Sequence, residues 1–255
     1  MLSYQHAYHA GNPADLHKHL MLVDLLERLT RKPRGITYAE THAGRGLYDL
    51  SAPEAIKTGE AKDGIGCLDL KDGPFTTLLA EVRATHGPDA YPGSPLVASM
   101  MLRPQDNMEL MELHPAEFEA LQTLFKDRGV VPQKRDGFKT LLELSPPNPR
   151  RGLVLIDPSY EVKSEYAATA VFAKNLFAKW PQATVMIWYP LLRAARHKIL
   201  LERLGDLAIH NEVLFDLKDG KGMQGSGLAI INPPYGAGKA FSTILKTAAP
   251  ILRRS

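Results

Sequence analysis

The sequence predicts an α/β fold built on a mostly parallel sheet whose two faces are covered by helices. Short apolar segments of strand length alternate with longer helical patterns from residue 107 to residue 204, which is typical of such sheets. A glycine-rich hairpin at residues 220–227 separates the last two strand-like segments, and it indicates one antiparallel strand. We find no repeat of solenoid or propeller period, so repeat architectures are excluded.

Each element follows from its own local pattern. Leucines and a valine recur at helical spacing over residues 15–29, and Asp15 is the expected cap of this helix. Residues 36–40 form the expected first strand, and residues 47–93 are expected to form a helical subdomain inserted into a single domain spanning residues 1–255. Further strands are expected at 107–113, 129–134, 153–156, 184–189, 209–217 and 228–232, with helices at 96–102, 115–126, 138–144, 166–177 and 192–204. The result is a seven-stranded, Rossmann-like sheet with one antiparallel strand.

The composition limits the class of protein. With 255 residues, 44% of them apolar and 23% charged, the chain resembles an ordinary soluble domain with a sizeable core. No apolar run is long enough to span a membrane, and the opening residues lack the pattern of a secretion signal. Cys67 is the single cysteine, which excludes an internal disulfide framework. We therefore expect a cytoplasmic protein, and its net charge of +3 permits a nucleic-acid partner without requiring one.

The loops after the first three predicted strands each offer a group suited to a nucleoside cofactor, since ligands of such sheets bind at the carboxyl ends of the strands. Gly44 and Gly46 allow close backbone approach after the first strand. Glu112 can accept hydrogen bonds from ribose hydroxyls, and Asp136 can accept one from an adenine amine. Each has an ordinary alternative: a glycine turn, a solvated helix cap and a helix N-cap.

The tetrapeptide Asp157-Pro158-Ser159-Tyr160 follows the fourth predicted strand and predicts a catalytic element. The exocyclic amine of a base is a poor nucleophile until acceptors hold its hydrogens and an aromatic face holds the base. We expect Asp157 and the Pro158 carbonyl to accept those hydrogens and Tyr160 to stack on a flipped base. Together with the three earlier loops, in chain order, this element is typical of S-adenosylmethionine-dependent methyltransferases rather than dehydrogenases.

A second string, Asn232-Pro233-Pro234-Tyr235, fits the amino-methyltransferase pattern better by its letters. It follows the strand predicted to be antiparallel, whose carboxyl end lies at the opposite edge of the sheet from the cofactor. We therefore interpret it as a structural strand exit and Asp157 as the catalytic residue.

These strings, with others along nearly the whole chain, resemble the RlmJ family of bacterial 23S rRNA adenine methyltransferases. The resemblance rests on residues 1–12, Lys18-His19, Thr41-His42-Ala43-Gly44, Tyr91-Pro92-Gly93-Ser94-Pro95, Glu112-Leu113-His114-Pro115, Asp136-Gly137-Phe138, Trp188-Tyr189-Pro190 and Asn232-Pro233-Pro234. Ser159 departs from the usual motif, which has a second proline there, and we expect activity to survive this change.

The resemblance implies a set of functional residues. It implies cofactor contacts at His19, His42, Ser94, Glu112, Asp136 and Gly137, with Asp157 catalytic. We assign Lys18, Gly44 and Asp157 itself to the cofactor site as well. It also implies that Tyr4 and His6 reach toward the RNA from the N-terminal tail. The expected partner is 23S rRNA, either free of protein or at an early stage of assembly, and the expected state is a monomer.

Other interpretations remain open at this point. The histidines near the N-terminus suggest a metal site, but His17 and His19 point to different faces of a helix, so we expect no metal. A rival enzyme would methylate an amide nitrogen of a protein and use Asn232. A non-enzymatic alternative is an RNA-binding protein that retains the cofactor pocket, with Ser159 as a sign of decay.

Overall fold

A central sheet with helices on both faces organises the chain, in a computed structural model that describes residues 5–67, 73–215, 222–241 and 252–253. The first half contains α1 (Pro13–Thr30), β1 (Thr37–Glu40), β2 (Leu47–Asp49), α2 (Pro53–Thr58), α3 (Glu60–Asp63), α4 (Pro74–His86), β3 (Ala90–Pro92) and α5 (Ser94–Met101). The second half contains β4 (Asn107–Leu110), α6 (Pro115–Phe125), α7 (Gly137–Leu144), β5 (Gly152–Ile156), α8 (Glu165–Lys179), β6 (Ala183–Leu191), α9 (His197–Leu204), β7 (Ala208–Phe215), β8 (Gly225–Ile231) and β9 (Leu252–Arg253).

The sheet has the order β4-β1-β5-β6-β8-β7-β9. Neighbouring strands from β4 to β6 pair in parallel, whereas β8 runs antiparallel to both β6 and β7, and β9 runs antiparallel to β7. The carboxyl ends of β4, β1, β5 and β6 therefore meet at one edge, where a doubly wound sheet binds its ligands. The predicted α/β class is confirmed.

Alternating side chains of the central strands build two cores. On β5, Leu153 and Leu155 pack into the core that includes the leucines of α1, and Val154 and Ile156 pack into the core that includes α8. All five residues of β5 are buried. Because both faces of the strand are covered, the segment is apolar throughout instead of alternating with polar residues.

The helix α1 begins earlier than the sequence predicted. Asn12 is its N-cap, with a side-chain oxygen that accepts a hydrogen bond from the Asp15 amide at 2.9 Å, and Pro13 occupies the first helical position. Asp15, the predicted cap, lies inside the first turn and is buried together with Lys18. This helix therefore carries charged side chains into the interior, where they require partners.

The strand predictions need correction at the two ends of the sheet. Residues 129–134 contribute only an isolated bridge between Met111 and Gln133, because Pro132 cannot donate to a strand ladder. The seventh strand is instead β9, so two strands run against the others where one was predicted. The predicted helix at 192–204 begins only at His197.

The segment 47–93 contains the helices α2, α3 and α4, and also the antiparallel pair β2–β3, which was not predicted. Its designation as an inserted subdomain of one domain stays a prediction. Among the described helices, none combines the length and the apolar character needed to cross a membrane.

Candidate active site

A cavity of about 940 Å³ opens at the carboxyl edge of the sheet. Its size suits a nucleoside cofactor together with part of a substrate. The lining residues come mainly from the loops after β1, β4 and β5, from the last residues of β6, from the start of α1 and from residues 48–67. Among the predicted site residues the lining includes His6, Lys18, His19, His42, Gly44, Ser94, Glu112, Asp157 and Pro158. Residues far apart in the sequence are therefore brought to one place.

Lys18 and Asp157 form the central ion pair of this cavity. The Lys18 ammonium donates to Asp157 Oδ2 at 2.7 Å and lies 3.0 Å from Asp15 Oδ1. Burial alone would lower the pKa of Lys18, but the charges of Asp15 and Asp157 outweigh burial and raise it above its usual range. One buried cation thus serves two carboxylates and holds Asp157 at the end of β5.

Asp15 connects this pair to the N-terminal segment. Its Oδ2 accepts from the Gly11 amide at 2.9 Å and lies 2.9 Å from His6 Nε2. Burial opposes ionisation of Asp15, but the nearby His6 and Lys18 lower its pKa well below the usual value. His6 is therefore positioned at the cavity by a buried carboxylate. Tyr4, its predicted companion, lies outside the described residues.

Glu112 shapes the cavity at the end of β4. Its two carboxylate oxygens accept backbone hydrogen bonds from Gly44 and His114, each at 2.7 Å. Each oxygen of a carboxylate has a further lone pair, so Glu112 can still accept hydrogen bonds from a ligand. The Gly44 amide is turned toward Glu112, which ties the glycine loop after β1 to the loop after β4.

Two histidines of the cavity are neutral near pH 7. Burial lowers the pKa of His42 to about 4 and that of His19 to about 3. His19 Nδ1 lies 2.9 Å from the hydroxyl of Tyr91, and its Nε2 is buried without a hydrogen-bond partner in the described part of the chain. A buried, unsatisfied ring nitrogen at a cavity wall is a site where a bound ligand can supply the missing partner.

Ser94 is hydrogen-bonded to a buried acid, Glu40, which the sequence did not predict as part of the site. Its hydroxyl donates to Glu40 Oε2 at 2.8 Å, and Tyr38 donates to the other oxygen of Glu40. Burial raises the pKa of Glu40 from 4.5 to about 8, although its hydrogen bonds to Tyr38 and Ser94 act in the opposite direction. The signal in the sequence that could have identified Glu40 is an acidic residue at the last position of a buried strand.

Asp136 and Gly137 lie beside the cavity and not on its lining. Asp136 is exposed and its side chain accepts from the Lys139 amide at 3.0 Å, so it caps α7. Gly137 packs so closely on Thr41 that a Cβ atom would lie 2.0 Å from the Thr41 carbonyl oxygen. The next residue, Phe138, contacts the ring of His42 edge-on. Both positions therefore support the wall formed by His42, and their predicted contact with adenine stays a prediction.

Tyr160 is not presented to the cavity. Its ring is buried and stacks on Tyr166 with 4.4 Å between centroids, and its hydroxyl donates to the Trp188 carbonyl at 2.8 Å. The backbone at Tyr160 has a positive φ of 55°, which is strained for a bulky residue. These contacts hold the sharp turn that follows Asp157, so Tyr160 supports the turn in this conformation, whereas we had expected it to stack on a base.

Asn232 lies at the opposite edge of the sheet from Asp157. Its side chain donates to the carbonyl of Ala183 at 3.0 Å, at the start of β6, and its own carbonyl accepts from Thr184. The antiparallel direction of β8 carries this string away from the cavity. No group of histidine, cysteine, aspartate and glutamate side chains suited to a metal ion occurs among the described residues.

The family model and the curated relatives that match this chain all belong to one family. A family model described as ribosomal RNA large subunit methyltransferase D, RlmJ, matches residues 33–254. Curated proteins named ribosomal RNA large subunit methyltransferase J are similar along almost their whole length. The protein from Haemophilus influenzae is 37% identical over 100% of this chain and 94% of its own, and that from Escherichia coli K12 is 35% identical over 96% and 92%.

A solved structure is similar over almost the same part of the chain. The crystal structure of a protein from Legionella pneumophila superposes with a TM-score of 0.85 at 36% sequence identity, and the match covers 94% of this chain and 93% of that one. Sequence and structure agree over nearly all of both molecules. The chain therefore belongs to the RlmJ family of ribosomal RNA large subunit methyltransferases.

Proposed function

We propose that this protein transfers a methyl group from S-adenosylmethionine to the exocyclic amine of an adenine in 23S rRNA, with Asp157 as the catalytic residue. The proposal depends chiefly on the position of Asp157, which directly follows β5 and lines the cavity, and Lys18 holds one of its oxygens at 2.7 Å. The family supports an RNA substrate, and the carboxylate at the strand end supports amine chemistry.

The residues of the cavity fit S-adenosylmethionine. The unsatisfied Nε2 of His19 is a buried polar atom that the cofactor's amino-acid end can pair with. Glu112 can accept from ribose hydroxyls, and the half-buried, neutral His42 offers a wall for the adenine ring. When bound, the cofactor supplies an electrophilic methyl group. Ser94 and Lys18 lie on the same lining and complete the assigned cofactor site with Gly44.

The amine is oriented by the turn after β5. Because Lys18 engages Oδ2 of Asp157, Oδ1 is the acceptor presented to one amine hydrogen, and the Pro158 carbonyl is the proposed acceptor of the other. Holding both hydrogens aims the nitrogen lone pair away from the ring and along the direction of transfer. As the nitrogen gains the methyl group it loses a proton, which becomes acidic only as the bond forms, so Asp157 need not be a strong base beforehand.

The proposal also covers the N-terminal segment and the cellular location of the reaction. His6, positioned by Asp15, lies where the N-terminal segment borders the cavity, and with Tyr4 it is the proposed contact to the RNA. We place the reaction in the cytoplasm, on 23S rRNA free of its proteins, with the protein acting as a monomer.

The test is transfer of labelled methyl from S-adenosylmethionine to protein-free, unmodified 23S rRNA. Asp157→Asn should reduce the rate by at least about 100-fold, while cofactor binding is retained. Asn232→Ala is the matched control and should keep wild-type activity per folded molecule, since Asn232 lies at the far edge of the sheet. Loss of activity in Asn232→Ala with activity retained in Asp157→Asn would refute the assignment and favour the amide methyltransferase. Cofactor binding without methylation of RNA by the wild type would favour the non-catalytic protein.

A further inference from the structure

An enzyme that acts on a flipped base needs a flat face beside its reacting group, and the predicted face, Tyr160, is buried against Tyr166. Trp188 of β6 is an aromatic side chain that lines the same cavity as Asp157. The Lys18 ammonium that donates to Asp157 at 2.7 Å also lies over the Trp188 ring, 5.9 Å from its centroid. The indole is half-buried and lines the cavity. The Lys18 ammonium therefore links the Trp188 ring to the proposed catalytic carboxylate.

The indole is held by a chain of buried hydrogen bonds. Its Nε1 donates to Ser226 Oγ at 2.9 Å, and this fully buried hydroxyl lies 3.0 Å from His17 Nδ1 on α1. Burial lowers the pKa of His17 to about 4, so the ring is neutral near pH 7 and its Nδ1 can accept from Ser226. The indole orientation is thus determined by β8 and α1 together.

The backbone of Trp188 is held as well. Its carbonyl accepts from the Tyr160 hydroxyl at 2.8 Å, which ties the strand carrying the indole to the turn that carries Asp157. A ring fixed at both its side chain and its main chain loses little conformational freedom when a base stacks on it, and this favours binding. Tyr48, another aromatic of the cavity lining, is placed differently, because it contacts His6 and Arg45 on the side of the glycine loop.

We propose that Trp188 is the platform on which the target adenine stacks, with Ser226 and His17 as positioning residues and Tyr160 as the link to the catalytic turn. This inference rests on the proposed function, because it assigns the base-binding face of that same site. Stacking on an aromatic side chain tolerates any base, so Trp188 would supply affinity and orientation while Asp157 and the Pro158 carbonyl select the amine.

Fluorescence tests the platform without requiring turnover. The chain has two tryptophans, and Trp180 is fully buried and bonded to the carbonyl of Arg150. In a Trp180→Phe variant, Trp188 is the single emitter. A short single-stranded RNA with one adenine, added with S-adenosylhomocysteine, should quench this emission, and the same RNA with an abasic site at that position should not. Equal quenching by S-adenosylhomocysteine alone would assign the ring to the cofactor and overturn the proposal.

Kinetics give the second test. Trp188→Leu should lower kcat/KM on protein-free 23S rRNA by about 5- to 150-fold, the range expected for a lost base–aromatic stack, with an unchanged Kd for the cofactor. Trp188→Phe should retain most of the activity, and Trp180→Phe is the control for loss of a tryptophan elsewhere. Trp188→Leu within about twofold of wild type would overturn the proposal. If the rRNA is not methylated by any variant but adenine still quenches Trp188, the platform stands and the substrate assignment fails.

Discussion

Lys18 places one ammonium group between two carboxylates, so its removal should affect both folding and catalysis. In Lys18→Met the side-chain length is retained, but Asp15 and Asp157 lose their shared cation. The side chains of Lys18 and Asp15 are 6% and 1% exposed, and that of Asp157 is 18% exposed. Removing one partner of a buried ion pair costs about 3–5 kcal/mol.

The lower end of that range applies here. Asp15 keeps His6 at 2.9 Å, and Asp157 faces the cavity, so both carboxylates retain part of their stabilisation. We expect Lys18→Met to lose about 3 kcal/mol of unfolding free energy, equivalent to roughly 6–12 °C in Tm for a chain of this size. The rate of methyl transfer should also fall in this variant, because Asp157 loses the Lys18 contact that orients its carboxylate.

The assay is urea unfolding of the wild type and three variants, with methyl transfer measured on each. Lys198→Met is the matched control on an exposed face of α9 and should change stability by less than about 0.5 kcal/mol. Lys18→Met combined with Asp157→Asn should recover about 1 kcal/mol or more, because an uncompensated charge is removed, but no activity. A Lys18→Met protein as stable as the control would refute the reasoning.

Three further outcomes follow from the same geometry. Glu40 binds a proton more tightly in the folded chain, so the free energy of unfolding should fall as the pH rises between about 4.5 and about 8. In Glu40→Gln, denaturation at several pH values should show a smaller dependence of this free energy on pH. An unchanged dependence would contradict the buried-acid assignment. Asn232→Ala should cost about 0.5–1.5 kcal/mol in urea unfolding through its lost hydrogen bonds; a wild-type midpoint would contradict this. Gly137→Ala should destabilise the fold and weaken cofactor binding in calorimetry, since a Cβ would lie 2.0 Å from the Thr41 carbonyl oxygen. In the control Gly238→Ala, the added Cβ would have no neighbouring atom nearer than 4.0 Å. Equal effects of the two substitutions would exclude the steric explanation.

The sequence by itself determined the fold class, most strands and the strand ends that border the cavity. These features depend on local patterns: an apolar run such as residues 153–156 forms a strand covered on both faces, and the loop after it lies at the ligand edge of a parallel sheet. The direction of β8, inferred from the hairpin, was enough to place Asn232 at the far edge. Local patterns failed where pairing partners decide the outcome, at residues 129–134 and at the two-residue strand β9.

The tertiary structure alone decided which side chains meet inside the cavity. Lys18 and Asp157 are 139 positions apart, and their pairing depends on how α1 packs across the sheet. Tyr160 and Trp188 show the same dependence: the sequence places both near a strand end, but the positive φ of Tyr160 and the hydrogen bond that the indole donates to Ser226 set which ring faces the cavity. Side-chain direction follows from backbone conformation and from buried hydrogen-bond partners in distant segments, and neither can be inferred from spacing along one segment.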